Sequence, residues 1–252
     1  MSFATIRKAG FDTETTGSNP DEARIVTAAL VVRGGDRPDQ DFTWLINPGV
    51  PIPEETTEIH GISTEIAQAK GQDPKIALED IASKLAAALK ARMPVIAFNL
   101  SYDWTVLDRD LRRHGLATMA ERYDGIAAVT LLDPHVIDKQ VIPRRKGSGM
   151  RKLKPTSEVY EIQLEDWHTA EADALAALRI TEAQFERYPQ LAQMTPAQLF
   201  AAQKQWSREQ AESLQAFFRT KPDKANEIVD GSWPLRPFPT AVAASGPALP
   251  HQ

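Results

Sequence analysis

The longest nearly unbroken apolar run in the chain is RIVTAALVV, Arg24 to Val32, which stops at Gly34-Gly35. A run this short and this rich in aliphatic and β-branched residues predicts a buried strand closed by a turn. Phe42 to Ile46 follows as its hairpin partner, and the chain turns between Pro48 and Pro53. From Asp73 to Arg92 the apolar spacing becomes helical, with Ile76, Ile81, Leu85 and Leu89 on one face. After Pro94, VIAF (Val95 to Phe98) predicts a second buried strand. It runs into NLSYDWTVLDRDLRRHG, a helix with Trp104, Leu107 and Leu111 inward, Ser101 as N-cap and Gly115 as its stop. Ile126 to Leu132 fits a last strand. Ala170 to Tyr188 fits a long helix capped by Thr169, with Leu175, Leu178 and Phe185 facing the core.

Strands first, then helix and strand in alternation, predict an α/β domain with a mixed sheet whose first three strands form a meander. Pro189 closes this domain, residues 1–189. A helical extension over 190–220 carries Phe200, Trp206, Leu214, Phe217 and Phe218, which can pack on the domain or dock a partner. Residues 221–252, ending in PLRPFPTAVAASGPALPHQ, are rich in proline and alanine without periodicity and read as a disordered tail.

Composition adds limits. A hydrophobic share of 42% and a charged share of 25% are ordinary for a soluble protein, and no apolar run approaches bilayer length, so no membrane partner is expected. MSFATIRKAG lacks the apolar core of a secretory signal, and the absence of cysteine excludes disulfides and thiolate metal sites. A cytoplasmic location is the expectation. With a net charge of -5, any polyanion must be held locally. RRKGSGMRKLK, Arg144 to Lys154, is the basic stretch placed to do so, although a solvated loop explains it as well.

The candidate chemistry is acidic. In FDTETTG, Asp12 and Glu14 are two apart, so in a strand both project to one face. Hard divalent cations take oxygen ligands and suit such a pair, as does a solvated acidic turn. Asp103 falls in the first turn of the helix after VIAF, where it can be a ligand or merely complement the helix dipole. Asn99 can position a phosphate or sugar, or form an Asx-turn. In WHTAEADALAALRI, Asp173 lies near the end of a first helical turn with His168 on the approach loop. The aspartate could bind metal while the histidine takes a proton from water, or His168 could be an exposed residue near a cap.

Taken together, FDTETTG, NLSYD and HTAEAD resemble the three motifs of the DEDDh group of DnaQ-like 3′-to-5′ exonucleases, the family of the proofreading ε subunit of bacterial DNA polymerase III. INPGVPIPEETTEIHGIST, Ile46 to Thr64, resembles the family's segment leading to a His-Gly-Ile element, and the likeness spans Phe11 to Ile180. It implies a ribonuclease-H-like α/β fold, a mixed five-stranded sheet in which two parallel strands extend the meander. It implies that Asp12, Glu14, Asp103 and Asp173 hold two Mg²⁺ or Mn²⁺ ions, with His168 as general base, for in-line hydrolysis of a phosphodiester. It places Thr13, Thr15, Thr16 and His60 beside the terminal nucleotide, although Ser63 or Thr64 capping a short helix also accounts for the His60 segment. The implied partner is nucleic acid with a 3′ end, DNA ahead of RNA, and a polymerase subunit is a further possible partner. RNA trimming and non-catalytic binding of nucleic acid or a polymerase stand as alternatives. A phosphatase built on DTET fits poorly, since Glu14 stands where its second aspartate belongs. Two positions depart from the family pattern. TIRKAG is polar where the first strand is usually apolar, which predicts a short, irregular or partly exposed strand. Bulky Trp104 follows Asp103, which affects packing more than chemistry.

Overall fold

The computed structural model describes residues 3–122, 129–145, 147, 149–163 and 169–238. Strands β1 (Lys8–Thr15), β2 (Ile25–Arg33) and β3 (Gln40–Leu45) form the antiparallel meander. Three helices, α1 (Glu54–His60), α2 (Thr64–Lys70) and α3 (Pro74–Lys90), lead to β4 (Val95–Ile96), which pairs parallel with β1. Helices α4 (Leu100–Arg113) and α5 (Met119–Arg122) precede β5 (Leu131–Leu132), parallel to β4. Then follow α6 (Pro134–Val141), α7 (Leu153–Val159), α8 (Ala170–Arg187), α9 (Pro189–Ala192) and α10 (Pro196–Arg219). The five-stranded sheet has the order β3-β2-β1-β4-β5, so β1 is central. Within the predicted last strand only Leu131 and Leu132 are in strand, and 126–128 lie outside the described residues.

The two faces of the sheet bury different helices. Ala9, Phe11, Ala28, Leu30, Val95 and Leu131 pack with α3 and α4, while Val31, Ile96 and Leu132 pack with α8. In β1, therefore, odd-numbered residues face α4 and even-numbered residues face α8. The stripe of α3 runs through Leu78, Ile81, Leu85 and Leu89, whereas Ile76, in its first turn, is 68% exposed.

The polar lead of β1 is neither short nor exposed. Lys8 is fully buried, its ammonium donating to the carbonyls of Phe3, Ala4 and Ile6 at 3.1, 2.8 and 3.1 Å and pairing with Glu182 of α8 at 2.8 Å. A buried lysine is tolerable when its donors are satisfied in this way. Gly10 is a packing residue: a Cβ there would lie 2.3 Å from the carbonyl oxygen of Ala174, so glycine lets α8 close onto the strand.

In the C-terminal quarter the expected helical extension packs on the domain, and the segment after it differs from expectation. Helix α10 buries Leu199 and Gln203 and packs Phe200 and Trp206 on the core. The described part of the expected tail, 221–238, is folded back: Trp233 is buried, and the Arg236 amide donates to Thr105 Oγ1 at 3.1 Å. Arg109 Nη2 of α4 donates to the carbonyls of Arg236 and Pro237 at 3.1 and 2.8 Å. Apolar burial of Trp233 outweighs the low-complexity composition around it. Among the described residues no helix is long and apolar enough to cross a membrane.

Candidate active site

Asp12 and Glu14 pair with Ala29 and Thr27 across the meander and project from the same face of β1, the face that α8 covers. Helix α8 starts where the sequence predicts, with the Thr169 hydroxyl accepting from the Ala172 amide at 3.2 Å, so Asp173 lies in its first turn. Because Gly10 admits α8 so closely, one carboxylate oxygen each of Asp12, Glu14 and Asp173 lies within 4.8 Å of the others.

Asp103 arrives from the opposite face. It is buried in the first turn of α4, and Thr13, an odd residue of β1, donates its hydroxyl to Asp103 Oδ1 at 2.6 Å. The two faces of one strand thus deliver four carboxylates to its C-terminal end. Their charges oppose each other. Burial first, then Asp103, Asp173 and Glu14, push the Asp12 carboxyl well above its ordinary range. Burial, Asp173 and Asp103 push Glu14 up to about 8. Burial raises Asp103 to about 7 against the opposing hydrogen bond from Thr13. A group of acids strained in this way by burial and mutual repulsion is stabilised by a cation of high charge, and an all-oxygen donor set suits Mg²⁺ or Mn²⁺.

The N-terminus of α4 is held differently from the prediction. Ser101 is inside the helix, and the N-cap is Asn99, in the left-handed region at φ 63° and without a side-chain cap bond. Asp133, at the end of β5, does the capping from a distance: its carboxylate accepts from the Asn99 and Leu100 amides, both at 3.0 Å. The same carboxylate caps α6 through the His135 and Val136 amides at 3.0 and 3.4 Å and accepts from the Trp233 indole at 3.3 Å. Sequence reasoning passed over Asp133, although an aspartate directly before proline at a helix start is a recognisable cap signal.

Of the residues expected near a terminal nucleotide, Thr13 is turned to Asp103, and Thr15 bonds the Gly17 carbonyl at 2.9 Å and the Tyr102 hydroxyl. Thr16 Oγ1 accepts from the Arg24 amide at 3.0 Å. Each of these hydroxyls thus has a partner within the fold. His60 ends α1, and Ser63 caps α2, its hydroxyl accepting from the Ile66 amide, as the capping account of that segment expects. His60 Nδ1 accepts from the Ile62 amide at 3.2 Å, leaving the proton on Nε2, which is buried. Burial lowers its pKa, so the ring is neutral near pH 7. With Glu14, Trp44, Ile62 and Thr169 it lines a cavity of about 270 Å³. Asn99 is exposed beside a second cleft. His168 lies outside the described residues.

The exonuclease family RNase_T matches residues 9–181, which include all four acids. The chain belongs to this exonuclease family. It is a DnaQ-like exonuclease domain with the ribonuclease-H-like sheet that the resemblance implies. A DNA polymerase III subunit epsilon-like protein of Rhodobacter capsulatus is 45% identical over 56 residues, 21% of this chain and 8% of that protein. A PolC-type DNA polymerase III of Lacticaseibacillus paracasei is 25% identical over 174 residues, 69% of this chain and 11% of that protein. The chain thus spans about a tenth of the length of these relatives. In fold, the exonuclease domain is similar to E. coli Exonuclease I in a complex with single-stranded DNA, with a TM-score of 0.62 at 17% identity over 75% of this chain and 42% of that one. Exonuclease I of Methylocaldum szegediense gives 0.60 at 20% identity over 73% and 41%.

Proposed function

We propose that this exonuclease domain is a metal-dependent 3′-to-5′ exonuclease of the DEDDh type, releasing nucleoside 5′-monophosphates from single-stranded or frayed DNA. The observation that carries the reading is the convergence of four carboxylates from β1, α4 and α8 on one strand end, in an arrangement that leaves their repulsion to be relieved by cations. DNA as substrate is supported by the names of the relatives, DNA polymerases and an Exonuclease I in complex with single-stranded DNA.

In this reading Asp12, Glu14, Asp103 and Asp173 hold two divalent ions, Mg²⁺ or Mn²⁺. When bound, such a pair supplies a nucleophilic water and charge neutralisation at the scissile phosphate. The protein supplies the rest. Thr13 fixes the rotamer of Asp103, and the N-terminal capping by Asp133 holds α4 in place. Gly10 sets the distance between Asp12 and Asp173. The neutral His60 ring, which lines the cavity beside Glu14, packs against the terminal nucleotide. His168, five residues before Asp173, takes the proton from the attacking water. The match covers about a tenth of each polymerase relative, so polymerase association is no part of the proposal.

The polarity is tested with a single-stranded oligodeoxynucleotide in Mg²⁺. A 5′-labelled strand should shorten as a ladder while a 3′-labelled strand loses its label as mononucleotide at once. Immediate release of the 5′ label, or internal cutting, would overturn the direction.

A further inference from the structure

Asn99 borders an open cleft of about 520 Å³ that the acidic site does not use. Phe98 and His135 line it together with the segment containing Gly147, Arg151 and Lys152. The Phe98 and His135 rings lie 5.1 Å apart at 31°, forming a flat, half-buried aromatic surface. Gly147 and Gly149, both at positive φ, add no side chain of their own to that wall.

The cleft is cationic. Asp138, fully buried, pairs with Arg145 Nη2 at 2.9 Å and accepts from Arg151 Nη1 at 2.6 Å and the Tyr160 hydroxyl at 3.1 Å. One carboxylate thus serves two guanidinium groups, and Lys139 and Lys152 add positive charge. The Arg145 side chain is 9% exposed, and its Nε and Nη1 are buried without hydrogen-bond partners. Burial, then Lys139, Arg151 and Arg145, hold the His135 pKa down at about 3, so its ring adds no charge and offers a neutral face. Asn99 and Asp103 are four residues apart at the start of α4, about 6 Å along its axis, so one strand can reach both the acids and this cleft.

We infer that the cleft binds the strand on the 5′ side of the scissile bond, a phosphate lying against Arg151 and Lys152 and a base against the Phe98–His135 surface. Phosphate contacts and base stacking of this kind bind single strands without regard to sequence. The inference rests on the exonuclease reading of the acidic site, and it gives part of the 144–154 basic stretch a task.

The test compares two substrates of the full chain in Mg²⁺: the p-nitrophenyl ester of thymidine 5′-monophosphate, which has one nucleotide, and a ten-residue oligothymidylate. In Lys152→Glu and in Arg151→Gln, the ratio of oligothymidylate kcat/KM to ester kcat/KM should fall about tenfold, and the salt dependence of the oligothymidylate KM should become shallower. An unchanged ratio would overturn the inference. If the wild type cleaves neither substrate, the exonuclease reading fails by itself. Fluorescence anisotropy of labelled oligothymidylate then decides the cleft: a Kd about tenfold weaker in Lys152→Glu supports it, and an unchanged Kd overturns it.

Discussion

Gly10 shows how one residue can control a site it does not join. Replacing it with alanine puts a Cβ against the Ala174 carbonyl and forces α8 away from β1, taking Asp173 from Asp12. Gly10→Ala should cost about 1–3 kcal/mol, the usual range for overpacking, and should weaken Mg²⁺-dependent activity more than its stability loss explains. Urea unfolding and initial rates, measured on the same preparation, check this; an unshifted midpoint would contradict the packing argument. His135 gives a pH signature of its own. Its folded pKa is near 3 and its unfolded value near 6.5, so the unfolded chain takes up a proton that the native state refuses, and stability is lost as pH falls below 6.5. Between pH 6.5 and 5 the wild type should lose about 2 kcal/mol relative to His135→Gln, read from urea midpoints at the two pH values. At this scale the sequence was readable where chemistry follows periodicity. Asp12 and Glu14 share a face because strands repeat every two residues, and Thr169 capping placed Asp173. It was not readable where the partner is distant: nothing near Lys8 announces three carbonyls and Glu182, and nothing near Thr13 announces Asp103.

The elements were largely foreseen, and their misplacements have one cause. A local rule made Ser101 the cap of α4, but the donors of that helix are satisfied by Asp133, more than thirty residues later. Likewise Ile76 fits a helical stripe by spacing yet sits in the first turn of α3, before the helix meets the sheet. Asp133 joins α4, α6 and the Trp233 segment, so its loss should act on all three. Asp133→Ala leaves several amides without a partner and should cost about 3 kcal/mol. Because α4 carries Asp103, the Mg²⁺ concentration for half-maximal activity should also rise about tenfold. A Mg²⁺ titration of activity decides between positioning and mere stability: destabilisation with an unchanged Mg²⁺ requirement would leave Asp133 a structural residue only.

Across the whole molecule, the order of elements in the sequence was enough for a mixed sheet opening on a meander, the family resemblance implied its five-stranded form, and the acids were placed by their relation to strand ends. The sequence misled about the segment after 220, because composition reports the polarity of a segment but not whether one tryptophan finds a pocket. Trp233 does, and Arg109 and Thr105 anchor the residues after it to α4. The folded domain therefore extends to at least Phe238, and it is stabilised around a site that works against stability. Burial together with Asp103 and Asp173 pushes the Asp12 and Glu14 carboxyls up, and burial raises Asp103, a cost that bound cations would offset.

That opposition between stability and function is the central claim, and Asp12→Asn tests it most directly by thermal unfolding in EDTA alongside nucleotide release from single-stranded DNA in Mg²⁺. The account predicts that the metal-free variant unfolds at or above the wild-type temperature while its release of 5′-mononucleotides falls by about a hundredfold or more. A variant that keeps wild-type release would contradict it.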